Sequence, residues 1–291
     1  MDLIKDWESI LIDNLRKQLN SGYSFNSPPE WADKISSGCA FTDEEKEAAI
    51  SVYLSNLRRF LTPKIREWEM LPNVEKDAAG LGVVEDLNDI GDEVVRGDDL
   101  TPRMSRSIKV LDKRDGALDD WGIYHFHLKP TGSRHVVMAM LRNDTIFAVA
   151  IREHNKWTDK SILETIQKDE PSLIDAFKID AKDIATPLNE DCRYETRRDG
   201  INHPVEINGT YYMPIGGGYC FSGASNEAMQ KRLSYNKRLK KAEQIIEQNR
   251  NIYNTKDIKL ASIDDKTIIV VDGLTGVKCE VNISLNLMRK L

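Results

Sequence analysis

The sequence predicts an α+β protein with helices at the N-terminus, a central antiparallel β-meander, and a C-terminal long helix with a second small antiparallel sheet. Three patterns indicate this class: helical spacing of apolar residues near the N-terminus, period-two alternation across residues 121–154, and a long helical run before three short β-branched runs. With 291 residues, 40% of them hydrophobic, the chain can bury a sizeable core. We expect a helical region over residues 1–100, the central sheet with a following helix over 101–180, and an α+β region over 181–291.

Spacing and capping predict two helices near the N-terminus. Residues 2–20 carry apolar side chains near helical spacing, and Gly22 ends that run. Thr42 and Glu45 have the spacing of a capping box, in which each side chain binds the other residue's backbone amide. A second helix should therefore begin after Thr42, continue through Leu57 and end before Pro63.

An acidic run occupies residues 84–99. Runs of this kind are typical of a solvated helix face followed by a loop, and we expect that arrangement here. The alternative hypothesis is that the acidic run covers the basic meander and holds it inactive. Deletion of the run would then change substrate affinity or activity.

The meander is predicted from alternation interrupted by turn residues. Three strands are expected, at residues 121–128, 135–141 and 146–152. The tight Asn143-Asp144 connection favours a hairpin between the second and third strands. In the first strand His125 and His127 point to one face because side chains alternate. Four of the five histidines in the chain lie in this stretch: His125, His127, His135 and His154.

Sequence patterns after the meander predict several further elements. Residues 158–177 have the pattern of a helix or helix pair with a break at Pro171. Asn208-Gly209 is typical of a type I′ hairpin turn. A glycine-rich loop at residues 216–223 precedes a helix, which suits either a phosphate-binding site or a plain turn and cap. Three strands near residues 259–263, 267–271 and 278–283 should form the second sheet.

A long helix is expected over residues 225–253, with six basic residues within eleven positions. A basic, amphipathic helix is typical either of a solvated face or of a surface that binds the backbone of RNA or DNA. The candidate nucleic-acid-binding residues in this helix are Lys231, Arg232, Lys237, Arg238, Lys240 and Lys241.

The net charge of −6 argues against a general nucleic-acid coat protein, because sequence-independent binding requires surplus lysine and arginine. Locally the balance reverses, since residues 122–157 hold five basic residues against two acidic ones. On the third strand Arg152 and His154 share a face, which gathers cationic and imidazole groups near one edge. The chain therefore suits one confined site for a polyanion.

The four cysteines are scattered without a C-x-x-C pair, which argues against a zinc ribbon or a redox motif and predicts reduced thiols. No stretch of the sequence approaches the roughly eighteen consecutive apolar residues of a membrane span, and the opening residues lack the layout of a signal peptide. We expect a cytoplasmic globular protein with no membrane partner.

The H-x-H pattern of His125 and His127 is a candidate metal site. Alternation places both imidazoles on one face of a strand, roughly 6.5 to 7 Å apart. His135 or His154 from a neighbouring strand could complete a three-histidine zinc or iron centre. A carboxylate at a familiar following spacing is missing, because residues 128–133 contain none.

Four features of the meander match a known pattern: the strand opened by Trp121-Gly-Ile, the run Arg134-His-Val-Val-Met-Ala-Met, the tight Asn143-Asp144 turn, and the closing Ala148-Val-Ala-Ile-Arg-Glu-His154. Over about residues 110–155 the chain thereby resembles the core of the RelE and YoeB type of bacterial toxin, small ribosome-dependent mRNA interferases. The resemblance covers about 45 residues of the 291. Asn155 stands where the YoeB branch has an aromatic residue.

The resemblance implies roles for particular residues. The arginine that opens the middle strand corresponds to Arg134, the histidine beyond the last strand to His154, and an acidic residue before the first strand to Asp112 or Asp115. RNA cleavage at its own 2′-hydroxyl requires a base, an acid and cations on the phosphate, and it requires no metal. With this chemistry the catalytic residues are His125, His127 and His154, which would transfer the protons, and Arg134 and Arg152, which would hold phosphate oxygens. Lys156 and Trp157 would extend the site to RNA by ion pairing and base stacking.

We therefore expect an RNA-directed, toxin-like effector, an endoribonuclease that works by acid–base chemistry without a cofactor. Its expected partners are RNA or the ribosome, and an inhibitory protein. One alternative is a metal-dependent enzyme built on the H-x-H pair. The other is a non-catalytic module that binds nucleic acid or protein in a phage or bacterial defence system, with histidines that serve only the sheet.

Overall fold

The computed structural model describes residues 1–130, 132–154, 159–180, 192, 195–196, 199, 201–220, 222–253, 257–285 and 287–290, without the side chains of 250–253, 287 and 290. In this part of the chain, eight α-helices and three β-sheets form a mixed fold, which confirms the predicted α+β class. None of the described helices is long and apolar enough to cross a bilayer.

The helices are α1 (Leu3–Asn20), α2 (Ala32–Ser37), α3 (Asp43–Leu57), α4 (Pro72–Leu81), α5 (Val84–Arg96), α6 (Gly116–Trp121), α7 (Ser161–Asp169) and α8 (Asn226–Tyr253). The strands are β1 (Glu67–Met70), β2 (Ile123–His127), β3 (His135–Arg142), β4 (Thr145–Glu153), β5 (Lys178–Ile179), β6 (Val205–Ile207), β7 (Thr210–Tyr212), β8 (Ile258–Ile263), β9 (Ile268–Asp272), β10 (Lys278–Asn282) and β11 (Leu287–Lys290).

The chain groups into two compact units. The terminal unit comprises Met1–Leu54 together with Ala228–Leu291, and the central unit comprises Ser55–Glu227. This grouping joins the two ends of the chain in space. The linear division into residues 1–100, 101–180 and 181–291 stays a prediction.

The main sheet of the central unit has the strand order β1-β4-β3-β2. Strands β2, β3 and β4 form the predicted antiparallel meander, with His125 opposite Met138 and His127 opposite Val136. Asn143 adopts a left-handed φ of 53° in the tight turn between β3 and β4. The sheet as a whole is mixed, because β1 joins it parallel to β4, an element that the sequence pattern did not predict.

The acidic run forms α5, which is built into the core of the central unit. Leu87, Ile90 and Val94 are fully buried on its inner face. At Gly91 an added Cβ would lie 2.8 Å from the ring of Trp68, so the helix and β1 pack closely. Removal of residues 84–99 would delete part of this core. The hypothesis of a detachable inhibitory cover therefore loses its structural basis.

The approach to β2 differs from the sequence prediction. Trp121 ends the short helix α6 instead of opening the strand, and Gly122 follows it with a φ of 69°. The glycine-rich loop packs against this helix: the amide of Gly216 donates to Asp120 O at 3.0 Å, and that of Gly218 donates to Asp119 O at 2.7 Å. Because these amides already have acceptors, the loop is a turn and not a phosphate-binding site.

Other predicted features of the central unit are confirmed. Helix α7 ends at Asp169, and two short 3-10 helices follow from Pro171. Asn208 and Gly209, with φ of 47° and 77°, form the tight turn between β6 and β7, to which β5 adds the third strand of a small antiparallel sheet.

The terminal unit combines α1, α2 and most of α3 with α8 and the antiparallel sheet β11-β10-β9-β8. The capping box is present, since the Thr42 amide donates to Glu45 at 2.9 Å and the Glu45 amide donates to Thr42 Oγ1 at 3.2 Å. Strand β11 adds to the three strands predicted from the sequence. Helix α8 is held by a fully buried face formed by Leu239, Ala242, Ile245 and Ile246.

Candidate active site

Three histidine rings meet at one end of the meander in the central unit. His125 and His127 lie two residues apart on β2, and His154 directly follows β4. The His154 ring is edge-on to His125, with centroids 5.8 Å apart, and nearly parallel to His127, with centroids 5.1 Å apart and planes inclined by 18°. We call His125, His127 and His154 the histidine cluster.

The turn between β2 and β3 fixes the orientation of His127. The backbone amide of Ser133 donates to Nδ1 of His127 at 3.2 Å. Since an amide is always a donor, Nδ1 must be unprotonated in this arrangement, and the neutral ring carries its hydrogen on Nε2. Ser133 Oγ holds the turn in place, because it accepts from the Leu128 amide at 3.0 Å and donates to His135 O at 2.5 Å.

Burial and mutual repulsion favour the neutral forms of His125 and His127. Burial lowers the pKa of His125, and the charge that His154 gains on protonation lowers it further, while Asp115 acts in the opposite direction. The pKa of His127 is also lowered, first by burial and then by His154. A positive charge on His154 therefore disfavours a positive charge on His125 and His127.

A cleft of about 140 Å³ opens beside the cluster. His125 and His154 form part of its wall, and residues of the segment that leads into α6 form much of the rest. Lys113 and Arg114 are exposed cations on this lining, and the carboxylate of Asp115 lies beside them. The cleft therefore combines proton-transfer groups with positive charge.

Arg59 holds the loop that carries these cations. Its buried guanidinium donates to Val110 O and Lys113 O, both at 2.9 Å, and to Ser107 O at 2.6 Å. Asp115 ends the loop as the N-cap of α6, since its side chain accepts from the Leu118 amide at 3.1 Å. These bonds give the cleft wall a defined backbone conformation. The toxin resemblance offered two acidic residues, Asp112 and Asp115. Of these, Asp115 lines the cleft.

The two predicted phosphate-binding arginines are engaged elsewhere. Arg134 is exposed and binds Glu153, with nitrogen–oxygen distances of 3.0 and 2.5 Å. Arg152 binds Asp159 at 3.0 Å and Asp77 at 3.5 Å. Neither arginine is among the described residues that line the cleft. Their catalytic roles stay predictions, and Lys156 and Trp157 lie outside the described residues.

Sequence reasoning missed the cationic side of the cleft. Lys113 and Arg114 precede the first strand of the meander, and Arg59 lies two residues beyond the end of α3, more than fifty residues earlier. The one available signal was the basic composition of residues 103–114, which contain five lysines and arginines.

The six candidate nucleic-acid-binding residues of α8 fall into two groups. Lys231 pairs with Asp265 at 3.5 Å, buried Arg232 binds Glu47 and Glu8, and Arg238 donates to the backbone oxygen of Asp264. The second group is exposed and makes no ion pair with the described part of the chain: Lys237, Lys240 and Lys241.

The predicted three-histidine metal centre does not form among the described residues. No group of three or more His, Cys, Asp or Glu side chains is placed there to hold a metal ion. His127 stacks on His154, and its Nδ1 accepts from Ser133, so the ring nitrogens do not converge on one point. His135, the other proposed ligand, lies opposite Glu153 in the sheet.

Comparison with known proteins gives no relative for this chain: no protein-family model, curated protein or solved structure matches it. The resemblance of residues 110–155 to the RelE and YoeB toxins accordingly stays a prediction.

Proposed function

We propose that the histidine cluster and its cleft form a metal-independent active site that cleaves RNA through attack by the substrate's own 2′-hydroxyl. One observation carries the proposal: two imidazoles, His125 and His154, share a cleft with the exposed cations Lys113 and Arg114. Proton transfer and charge stabilisation are the two requirements of this reaction.

His125 is suited to act as the general base. Burial keeps its imidazole neutral, so it can accept the proton of the 2′-hydroxyl while that oxygen bonds to phosphorus. His154 is the second proton-transfer group on the cleft wall and donates a proton to the departing 5′-oxygen as its bond to phosphorus breaks. The products are a 2′,3′-cyclic phosphate and a free 5′-hydroxyl, and the net transfer is one proton from one oxygen to the other.

The cations stabilise the charge that develops on the phosphorane oxygens. Lys113 and Arg114 are the exposed cations on the cleft lining, and the Arg114 guanidinium also lies over the Tyr219 ring, 5.1 Å from its centroid. The guanidinium of Arg59 binds three backbone carbonyls. His127 does not line the cleft; it positions His154 by stacking against it. The proposed catalytic groups are therefore His125 and His154, with His127 as a positioning residue.

The size of the cleft favours the backbone over the bases as the group that is bound. Pockets for drug-sized ligands are usually about 300 to 1,000 Å³, and this cleft is about 140 Å³. A phosphodiester with part of its ribose fits such a space, while the bases stay outside. We therefore propose RNA as the substrate, with the ribosome as the setting in which a toxin-like effector would present it.

The test uses a labelled single-stranded RNA in two settings: free RNA with EDTA present, and RNA bound to translating ribosomes in Mg²⁺ buffer without EDTA. We expect cleavage with a 2′,3′-cyclic phosphate end, at least 100-fold slower for His125→Ala and for His154→Ala, and unchanged for the control His203→Ala outside the cluster. A substrate with one 2′-deoxyribose at the cleavage position should resist. Cleavage that survives both cluster variants would refute the proposed site, and binding without cleavage in either setting would favour the non-catalytic module.

A further inference from the structure

Three lysines of α8 are exposed and uncompensated. The side chains of Lys237, Lys240 and Lys241 form no hydrogen bond or ion pair with the described residues, whereas those of Lys231, Arg232 and Arg238 do. A charge run on a solvated helix is normally balanced by carboxylates four residues away. Here the positions four residues before and after each lysine carry none; they are Leu233, Asn236, Lys237, Lys241, Gln244 and Ile245.

The arrangement costs stability within the helix itself. Lys237 and Lys241 are an i,i+4 pair of like charge, which destabilises an isolated helix. The carboxylate nearest in sequence is Glu243, three residues after Lys240, and it accepts from the Leu3 amide at 2.8 Å. Like charges at this helical spacing, with no ion pair among the described residues to offset their repulsion, are typical of a functional surface.

The neighbouring side chains suit a phosphate backbone. Exposed neutral hydrogen-bonding residues continue the same face of the helix: Gln230, Ser234, Gln244 and Gln248. Amide and hydroxyl donors, like lysine, bind phosphate oxygens without reading base sequence. The opposite face is anchored by fully buried Leu239 and Ile246, so the lysines project from a fixed scaffold.

We propose that Lys237, Lys240 and Lys241 form a face of α8 that binds the RNA backbone independently of sequence. This lysine face deepens the proposed function in one respect, since both take RNA as the ligand, and it uses none of the cleft residues. The chain as a whole carries a net charge of −6, so a polyanion would be attracted to such a face and repelled by much of the remaining surface.

The experiment measures binding of a fluorescein-labelled 20-nucleotide oligouridylate by anisotropy, in the full chain carrying His125→Ala to prevent cleavage. The test variant is Lys237→Gln/Lys240→Gln/Lys241→Gln. The matched control, Lys259→Gln/Lys266→Gln/Lys278→Gln, removes the same charge from exposed lysines of the C-terminal sheet.

At low salt we expect Kd to rise at least tenfold for the test variant and less than threefold for the control. The slope of log K against log salt should fall by about 2 for three lost phosphate contacts on a single strand. Unchanged thermal unfolding would show that the test variant is folded. Equal losses in the two variants, or parent protein that does not bind the oligonucleotide, would overturn the lysine face.

The two proposals fail separately. If cleavage does not depend on His125 while the lysine variant still loses RNA affinity, the active site is wrong and the lysine face stands. If cleavage depends on His125 while the lysine variant binds as the parent does, the lysine face is wrong and the active site stands.

Discussion

His127 and His154 lie nearly face to face, with ring centroids 5.1 Å apart. The ring of His127 is in turn oriented by the Ser133 amide, 3.2 Å from its Nδ1. The turn that contains Ser133 thereby orients His127, and His127 positions His154 by stacking against it. Of these two rings, His154 lines the cleft and His127 does not. We expect the activity of His154 to depend on this contact.

Ser133 provides the direct test of that dependence. Ser133→Pro removes the amide hydrogen, so Nδ1 of His127 loses its donor, whereas Ser133→Ala keeps it and loses only the two side-chain bonds. Nitrogen-detected NMR should show His127 with its hydrogen on Nε2 in the parent and in Ser133→Ala. In Ser133→Pro that tautomer should no longer dominate, and RNA cleavage should fall at least tenfold more than in Ser133→Ala. The same mixture of tautomers in all three proteins would contradict the assignment.

The cluster should make the protein sensitive to acid. Folding lowers the pKa of His125 and His127 below the ordinary value of 6.5, so the unfolded chain binds more protons when the pH falls below that value. The stability associated with the neutral rings is fully present above about pH 6.5 and is lost as the pH falls toward the folded values. Between pH 7.5 and 5, the Tm of the parent should therefore drop more steeply than that of His125→Asn/His127→Asn. His203→Asn serves as the control and should keep the parent slope.

Asp119 and Arg58 form a buried ion pair at 2.5 Å, and burial raises the pKa of Asp119 to about 6. Asp119→Asn would remove the buried carboxylate that pairs with the Arg58 guanidinium. We expect the free energy of unfolding to fall by about 3 kcal/mol. Glu227 binds the same guanidinium at 2.8 Å from an exposed position, so Glu227→Gln should cost less than about 1 kcal/mol. Urea denaturation at pH 7.5 compares the two. Similar losses would mean that burial does not distinguish these partners.

Gly216 allows a sharp test of the loop that packs on α6. A Cβ at this position would lie 1.9 Å from Leu118 O and 2.6 Å from Asp119 O, so Gly216→Ala must displace backbone. We expect a loss of about 3 kcal/mol or an insoluble protein. Gly80 in α4 has open space around it, and Gly80→Ala should be neutral or stabilising by up to about 1 kcal/mol. Chemical denaturation of both variants measures these free energies of unfolding. A Gly216→Ala protein as stable as the parent would contradict the close packing of Gly216 on α6.

The cleft cations can be compared with the arginines that the toxin resemblance selected. Charge-assisted hydrogen bonds contribute about 1.5 to 3 kcal/mol, so Lys113→Gln/Arg114→Gln should lower kcat/KM for RNA by roughly 10- to 100-fold. Arg134→Gln/Arg152→Gln should have less than a threefold effect, because both arginines are engaged by carboxylates. The reverse order of effects would restore the roles implied by the resemblance.

Local patterns predicted the elements that depend on neighbouring residues. Alternation and tight turns identified β2, β3 and β4, and the spacing of Thr42 and Glu45 identified the start of α3. Strand β1 escaped prediction because it is only four residues long, Glu-Trp-Glu-Met, and it is completed by a parallel partner that lies about eighty residues later in the sequence. No local period records such a pairing.

For the candidate site, the sequence likewise predicted only the parts that depend on neighbouring residues and strand pairing. His125 and His127 share a face because of strand geometry, and His154 joins them because β4 pairs with β3. The cleft depends instead on tertiary contacts, above all the three carbonyls bound by Arg59, and residue spacing carries no signal for those. Trp121 illustrates the limit: its aromatic character suits a strand, but the cap formed by Asp115 begins a helix that includes it.

The central unit, Ser55–Glu227, interrupts the terminal unit in the sequence. During synthesis, the whole central unit is therefore translated, and emerges from the ribosome, ahead of the second half of the terminal unit. Chains generally fold as segments emerge, so we expect the histidine cluster to assemble on the nascent chain while α1 still lacks its partner α8. Newly made protein would then pass through a stage that has the cleft without the lysine face.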